Sequence, residues 1–161
     1  MNKEEQVIMS LRNMLSKMDL LNNFKMKDSL KSYKAFEVHC IEYIGKNADS
    51  NVTKLAESFY VTRGAISRMA KKLIKKGIVE SYQKPNNKKE IYFRLTEQGK
   101  AINKIHEEIH KEFHERDKAI FEQMTKEQFD SMLSFAEKYS KHLDGEIQEV
   151  GLDIGNCNKF E

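Results

Sequence analysis

The chain has 161 residues, of which 33% are charged, and a formal net charge of +3, values that fit one domain with a core of its own. No apolar run approaches the ~20 residues that cross a bilayer, and the N-terminus has no signal-peptide core, so we expect a cytoplasmic protein. A single proline, no tryptophan and many Lys, Glu, Leu and Ile residues favour a mainly α fold.

The first predicted element is an amphipathic helix over residues 1–30. Its apolar residues recur at helical spacing and form one stripe, which needs a partner surface to cover it. The stripe consists of Val7, Ile8, Leu11, Met14, Leu15 and Met18. A second helix, predicted over about residues 33–44, carries His39 and Cys40.

Residues 55–79 have the apolar spacing of two short helices packed across a tight turn. The first helix is predicted to turn Leu55, Ala56 and Phe59 inward. Thr62 precedes the second helix, where its hydroxyl can cap the free amides. The second helix is predicted to bury Ile66, Met69, Ala70 and Leu73. This arrangement is a helix-turn-helix, which makes double-stranded DNA the first partner to consider.

The outer face of the second helix carries hydrogen-bond donors that suit a major groove. With the apolar stripe inside, the residues left outside are Arg63, Gly64, Ser67, Arg68, Lys71 and Lys72. We predict that Arg63, Ser67 and Arg68 contact base edges. Thr62, Lys71 and Lys72 are predicted phosphate contacts, which position a protein on DNA without reading its sequence.

A β-hairpin wing is predicted after this helix. Gly77 can end the helix, and strand-forming residues follow at 78–83 and 91–95. Residues 84–89 between them form a basic turn, and its predicted DNA-binding residues are Lys84, Asn86, Asn87, Lys88 and Lys89. Of these, Lys88 and Lys89 are predicted to contact phosphates.

Charge is distributed unevenly along the chain. Residues 60–94 contain ten Lys or Arg against two Glu, whereas residues 95–150 contain eight basic against thirteen acidic residues. A basic run alone is typical of a solvated surface, but this one coincides with the helix-turn-helix and the hairpin. The coincidence favours a phosphate-binding face on an otherwise acidic protein.

These motifs resemble those of the MarR family of winged helix-turn-helix transcriptional regulators. The resemblance lies in Leu55-Ala56, Val61-Thr62, Gly77-Ile78-Val79 and the wing exit Leu95-Thr96-x-x-Gly99, and it covers roughly residues 5–145. It implies a dimeric repressor that occupies an operator and blocks polymerase. Near the wing tip the family usually has an Asp and an Arg, whereas this chain has Asn87 and Lys89. The departure removes a salt bridge that would stiffen the wing, and Lys lacks the planar fork of Arg.

The predicted organisation has four parts: an N-terminal dimerisation helix (1–30), a winged helix-turn-helix (31–96), a long linker helix with a C-terminal dimerisation helix (97–147), and a flexible tail (148–161). Thr96 is the predicted N-cap of the linker helix, which begins at Glu97. A C-terminal apolar stripe comprises Phe121, Met124, Phe129, Met132, Leu133, Phe135, Ala136 and Tyr139.

The resemblance implies that both terminal stripes pair with a second copy of the chain in a two-fold homodimer. Two recognition helices would then enter successive major grooves about 34–36 Å apart, so the expected operator is an inverted repeat. The alternative is that the terminal helices complete the core of a monomer.

An effector is expected between the DNA-binding region and the dimer helices, where it would change the separation of the recognition helices. The linker helix is predicted to turn Ile102, Ile105, Ile109 and Phe113 inward. Beside that stripe run three histidines one turn apart, His106, His110 and His114.

Histidines at this spacing can share a Zn²⁺ ion with a ligand from another element. The predicted metal ligands are His39, His106 and His110, and the nearby oxygen donors are Glu37, Glu42, Glu107 and Asp117. Hydrogen-bonded packing histidines are the ordinary alternative, and a small organic effector is the competing hypothesis. No cofactor is expected to be required.

Cys40 is a candidate redox sensor, on the condition that its thiol is exposed and its thiolate is stabilised. Burial as a small apolar residue is the alternative. Cys157 lies in the polar tail, and the two cysteines form no disulfide framework in a chain of this size.

An enzyme is not expected. Residues 106–110 read His-Glu-Glu-Ile-His, which meets the literal pattern of a zinc-peptidase motif. They fall in the helix that leaves the wing, on a small domain with no second lobe to form a substrate cleft. A non-specific architectural DNA-binding protein is the alternative of a different class, but it would not explain the helix-turn-helix pattern.

Overall fold

The computed structural model describes residues 2–151, which form six helices and three strands. In chain order these are α1 (Lys3–Ser29), α2 (Ala35–Lys46), β1 (Ser50–Asn51), α3 (Val52–Phe59), α4 (Arg63–Lys75), β2 (Val79–Lys84), β3 (Asn87–Leu95), α5 (Glu97–Phe121) and α6 (Lys126–Glu149). The predicted mainly α fold with a small β-hairpin wing is confirmed. None of the helices in this range is both long and apolar enough to cross a bilayer.

The main core forms where α2, α3 and α4 pack against the sheet. Its most deeply buried apolar side chains include Cys40, Ile41, Leu55, Ile66, Leu73 and Ile78. The predicted inward residues of the helix-turn-helix are buried, except that Phe59 is half-buried. Because the apolar face of α4 is committed to this core, its opposite face is held outside.

The sheet has the strand order β1-β3-β2, with antiparallel neighbours. β1 was not predicted, since two residues are too few to show an alternating pattern. Its residues pair with β3 near the base of the wing: Ser50 lies opposite Phe93, and Asn51 lies opposite Tyr92. The wing is therefore joined to the segment that leads into α3.

The hairpin turn is tighter than predicted. β2 continues to Lys84 and β3 begins at Asn87, which leaves only Pro85 and Asn86 in the turn. The prediction of a six-residue turn was wrong because the register shifts between Tyr82 and Lys84, and this irregularity lets pairing continue to the tip. Three predicted turn residues, Asn87, Lys88 and Lys89, lie in β3 instead.

α5 turns a different set of residues inward from the one predicted. Ile109 and Phe113 are buried as predicted, but Ile105 is 37% exposed and His106 is 0% exposed. The apolar pattern assigned the isoleucine to the interior because it considered α5 alone. Packing against α2 puts the histidine there instead.

α1 and α6 bury little within their own chain. Among the described residues, α1 buries only Met26 and α6 buries none. Four of the six residues in the predicted stripe of α1 are exposed, among them Val7 at 45% and Leu15 at 53%, whereas Ile8 and Leu11 are half-buried. Two long helices therefore present apolar faces that no part of the described chain covers.

The C-terminal stripe is divided between two helices. α5 ends at Phe121 and α6 begins at Lys126, after a cap in which the hydroxyl of Thr125 accepts from the Gln128 amide at 3.2 Å. α6 continues to Glu149, two residues into the predicted tail. The rest of the predicted tail from residue 152 onward, including Cys157, lies outside the described residues.

Candidate nucleic-acid interface and histidine cluster

α4 begins at a turn that the local sequence sets. Tyr60 ends α3 in the left-handed region with φ 54°, and the amide of Val61 donates to the Ala56 carbonyl at 3.1 Å. The predicted cap at Thr62 is formed, since its hydroxyl accepts from the Ala65 amide at 3.1 Å. Local hydrogen bonds therefore fix the turn between α3 and α4 and the start of α4.

The outer face of α4 is open to solvent. Arg63, Gly64, Arg68 and Lys71 are exposed, and Ser67 is half-buried. A Cβ on Gly64 would lie 3.6 Å from Nη1 of Arg68, so the guanidinium lies beside the glycine. Within residues 2–151, no ion pair or hydrogen bond engages the charged groups of Arg63, Arg68 or Lys71. Three cations on this face are therefore available to a ligand.

Lys72, also predicted on this face, is differently placed. Its ammonium forms an ion pair with the carboxylate of Glu37 on α2. Glu37 is 4% exposed, whereas the Lys72 side chain is 48% exposed. Burial raises the pKa of Glu37, but hydrogen bonds from Lys72 and the Lys34 amide outweigh it and lower that pKa overall. The carboxylate is thus held in its charged form.

The first strand of the wing, β2, is held by a residue that sequence reasoning missed. Asp49 has a left-handed backbone, with φ 56°, and its carboxylate accepts from the Tyr82 hydroxyl at 2.7 Å and from Lys84 at 2.5 Å. The hydrogen bond from Lys84, followed by that from Tyr82, lowers the pKa of Asp49. Lys84, a predicted DNA contact, therefore already has a partner. No local pattern could indicate contacts across 33 residues of chain.

The wing tip keeps its order without the expected Asp–Arg pair. The side-chain oxygen of Asn87 accepts from the amides of Lys89 at 3.2 Å and Glu90 at 3.3 Å. Lys88, Lys89 and Asn86 remain exposed. Backbone hydrogen bonds to Asn87 thus stabilise the tip locally, and two lysines project from it.

Three histidines meet between α2 and α5. Ligand atoms of His39, His106 and His110, the three residues predicted as metal ligands, all lie within 4.8 Å of one another. The Nε2 atoms of His106 and His110 are 2.9 Å apart. His114, one turn further along α5, is exposed and does not join the cluster.

The surroundings of His106 favour the neutral ring. Burial, followed by the charge of His110, lowers its pKa to about 4, against the opposing effect of Glu42. Nδ1 of His106 is buried without a hydrogen bond and lies 3.5 Å from Oε2 of Glu42. A neutral imidazole is the form that binds metal ions, and a carboxylate beside its second nitrogen is the usual orienting partner.

The other predicted oxygen donors lie elsewhere. Glu107 accepts from the Asn103 side chain at 3.2 Å, and Asp117 pairs with its neighbour Arg116 at 2.7 Å. Glu37 faces α4 rather than the histidines. Of the four predicted carboxylates, Glu42 alone lies beside the cluster.

Cys40 has the character of a packing residue. It is 0% exposed, and burial, followed by the charge of Glu37, raises the pKa of its thiol to about 12. A redox sensor needs an accessible thiol and a stabilised thiolate, and this residue has the opposite of both. The alternative of a small buried apolar side chain describes it better than the redox prediction does.

A cavity of about 740 Å³ opens between the end of α1, the start of α2 and the side of α4. Its wall combines the apolar side chain of Met26 and the ring of Tyr33 with four lysines. The lysines are Lys27, Lys31, Lys34 and Lys72. A negatively charged molecule with an apolar body has the chemistry to enter it.

Comparison with known proteins agrees with this geometry. Residues 36–91, from α2 to the middle of β3, match the model of the MarR family. The HTH-type transcriptional regulator YhjH of Bacillus subtilis (strain 168) is 35% identical over 107 residues, 66% of this chain and 59% of that protein. The HTH-type transcriptional regulator PchR of the same strain is 30% identical over 109 residues, 68% of this chain and 64% of that protein. The chain thus spans about three fifths of the length of these curated relatives.

Among solved structures, the chain is similar to Streptococcus pneumoniae FabT in complex with DNA. The TM-score is 0.76 and the sequence identity 21%, over 89% of this chain and 99% of that one. At this identity the likeness establishes the winged helix-turn-helix fold. It extends beyond the matched family domain into the terminal helices.

Proposed function

Because this chain belongs to the MarR family of winged helix-turn-helix proteins, we propose that it is a sequence-specific DNA-binding transcriptional regulator that acts as a homodimer. The observation that carries the proposal is the outer face of α4. It is exposed and basic, and three of its cations, Arg63, Arg68 and Lys71, have no acidic partner within the described residues. The relatives of this chain, YhjH and PchR, are themselves named as transcriptional regulators rather than enzymes.

The donors on α4 and the wing divide into two groups. Arg63, Ser67 and Arg68 lie toward the N-terminal half of α4 and read base edges in the major groove. Thr62, Lys71, Lys88 and Lys89 contact phosphates. Gly64 lets the helix approach the groove closely, and Asn86 and Asn87 lie at the wing tip beside the DNA backbone.

Homodimer formation is proposed from the uncovered apolar faces of α1 and α6. Leu20 is 75% exposed, Phe24 is 72% exposed, and Leu133 is 67% exposed. Large apolar faces of this kind mark interaction surfaces, and a helix that buries nothing in its own chain needs a partner. A second copy offers the same faces and places two α4 helices about one helical turn of DNA apart.

Footprinting of the purified protein on the DNA upstream of its own gene tests this arrangement. The expected result is a protected site made of two inverted half-sites, with centres about 34–36 Å apart along the duplex. Protection of a single half-site would contradict the dimer, and uniform protection of the fragment would favour the architectural alternative. We propose that the protein acts in the cytoplasm as a repressor, by blocking polymerase at this site.

A small organic effector is proposed to act between the DNA-binding region and the dimer helices. The cavity beside Tyr33 and the four lysines supports this idea, because α1, α2 and α4 all contribute to its wall. A ligand that binds better to one spacing of the two recognition helices would shift the population toward that spacing. Only such a difference in affinity would make it an effector.

The histidine cluster supports a second candidate, a Zn²⁺-responsive regulator. Two nitrogens that share a tetrahedral Zn²⁺ lie about 3.3 Å apart, close to the 2.9 Å between Nε2 of His106 and Nε2 of His110. Binding through Nε2 would leave Nδ1 of His106 to donate to Glu42, which satisfies a buried atom that otherwise has no hydrogen bond. His39 supplies the third nitrogen from α2.

Replacing His106 and His110 together with alanine is expected to abolish any Zn²⁺-dependent change in operator affinity, since two of the three nitrogen ligands are lost. His114→Ala is the matched control, because His114 lies on the same helix outside the cluster. Fluorescence titration of metal-free protein with operator, with and without Zn²⁺, measures the response. A double variant that still responds to Zn²⁺ like the wild type would remove these residues from the site.

A further inference from the structure

Glu37 lies where α2 meets α4, the helix that carries the proposed DNA-reading face. Three groups contact its carboxylate. The amide of Lys34 donates to Oε2 at 3.1 Å, Lys72 forms an ion pair with Oε1, and Nζ of Lys76 lies 3.9 Å from Oε2. Glu37 is only 4% exposed, so water cannot replace these partners. One buried carboxylate thus caps α2 and binds Lys72 in the last turn of α4 and Lys76 directly after that helix.

Lys76 strengthens the same connection. Its ammonium donates to the Ser32 carbonyl at 3.0 Å and lies 4.6 Å from the centre of the Tyr33 ring. The segment between α1 and α2 is therefore attached to the C-terminal end of α4 as well. These contacts are polar and directional, so they fix the rotation and axial position of α4 in a way that apolar packing alone does not.

We infer that Glu37 and Lys72 form a positioning pair that sets the orientation of the recognition helix, and that Lys72 does not contact phosphate. The inference rests on the proposed DNA-binding function. It changes the roles predicted for both residues: Glu37 was a candidate metal ligand, and Lys72 was a candidate phosphate contact. Lys71, its neighbour in sequence, keeps the phosphate role because no partner within the described residues engages it.

The adjacent lysines give a matched comparison. Lys71→Gln removes one phosphate contact from each subunit, so in the dimer it should reduce the magnitude of the slope of log affinity against log salt by about 1.8. Lys72→Gln and Glu37→Gln should each weaken operator binding about tenfold while leaving that slope unchanged. Because both substitutions break the same ion pair, the variant that carries both should bind the operator no more weakly than the single variant with the lower affinity.

Hydrogen exchange of the free protein provides a readout that does not involve DNA. Glu37→Gln and Lys72→Gln are expected to speed exchange in the first turn of α2 and the last turns of α4, whereas Lys71→Gln leaves both unchanged. If Lys72→Gln lowers the salt slope as Lys71→Gln does, and its effect adds to that of Glu37→Gln, the inference is overturned. Unchanged exchange in both pair variants would also overturn it. Failure of the wild type to prefer an operator would count against the proposed function instead, and the exchange result would still decide whether the pair holds α4.

Discussion

Replacing Gly99 with alanine is expected to destabilise the fold by about 3 kcal/mol, the upper end of the usual cost of overpacking. A Cβ at this position would lie 2.1 Å from the carbonyl oxygen of Ile78 and 3.3 Å from Cβ of Leu95. The nearest atom belongs to the backbone, so no side chain can rotate away. α5 would have to move from the wing it abuts.

The contact at Gly99 is part of the junction between the wing and α5. The hydroxyl of Thr96 accepts from the Gly99 amide at 3.1 Å and donates to the Gly77 carbonyl at 2.5 Å. The Thr96 amide donates to the Ile78 carbonyl at 3.1 Å. A shift of the helix therefore strains several hydrogen bonds at once.

Gly145→Ala is the matched control, since a Cβ there meets nothing within 4 Å. Alanine is the better helix former, so this variant should gain about 0.5–1 kcal/mol. Urea unfolding at one fixed protein concentration measures both changes, because the stability of a dimer depends on concentration. Equal midpoints for Gly99→Ala and the wild type would show that the close approach of α5 to the wing is wrong.

Replacing Arg68 with alanine is expected to weaken binding to the correct operator by about 1–3 kcal/mol and to change which bases are preferred. Arg68 is exposed near the N-terminal half of α4, and within the described residues no carboxylate holds its guanidinium. A free planar fork can form two hydrogen bonds with one base edge. Loss of that contact should relax selection at the base pairs it reads.

Lys88→Ala is the contrasting variant, because a phosphate contact carries no sequence information. It should weaken operator and random duplexes alike and, because one contact is lost from each subunit, reduce the magnitude of the salt slope of the dimer by about 2. Competition binding against a panel of single-base operator variants separates the two effects. If both substitutions lowered affinity uniformly, the division between base-reading and phosphate-contacting residues would be wrong.

Local signals were sufficient to predict α4 and the start of α5. Thr62 and Thr96 were identified as caps from their place before an apolar-periodic run, and both accept the expected amide hydrogen bond. The apolar stripe of α4 is buried as its spacing indicated. In these segments propensity, capping and periodicity agree, and such agreement makes an element predictable.

Contacts between distant residues were not predictable in the same way. Asp49 binds Tyr82 across 33 residues, and Asn51 binds Glu90 across 39 residues. The burial of His106 likewise depends on how α2 packs against α5, which no pattern within α5 reveals. The proximity of His106 and His110 was predictable from their spacing, because residues four apart share a helical face.

The central claim is that the exposed face of α4 reads DNA sequence, and a comparison of two duplexes tests it most directly. Purified, metal-free protein is titrated at one fixed physiological salt concentration into its own upstream DNA and into a random duplex of equal length. The account predicts that the upstream DNA binds at least about 10³-fold more tightly than the random duplex, the lower end of the range for specific regulators. Equal affinity for the two duplexes would contradict sequence-specific regulation and leave only the general attraction of a basic surface for phosphates.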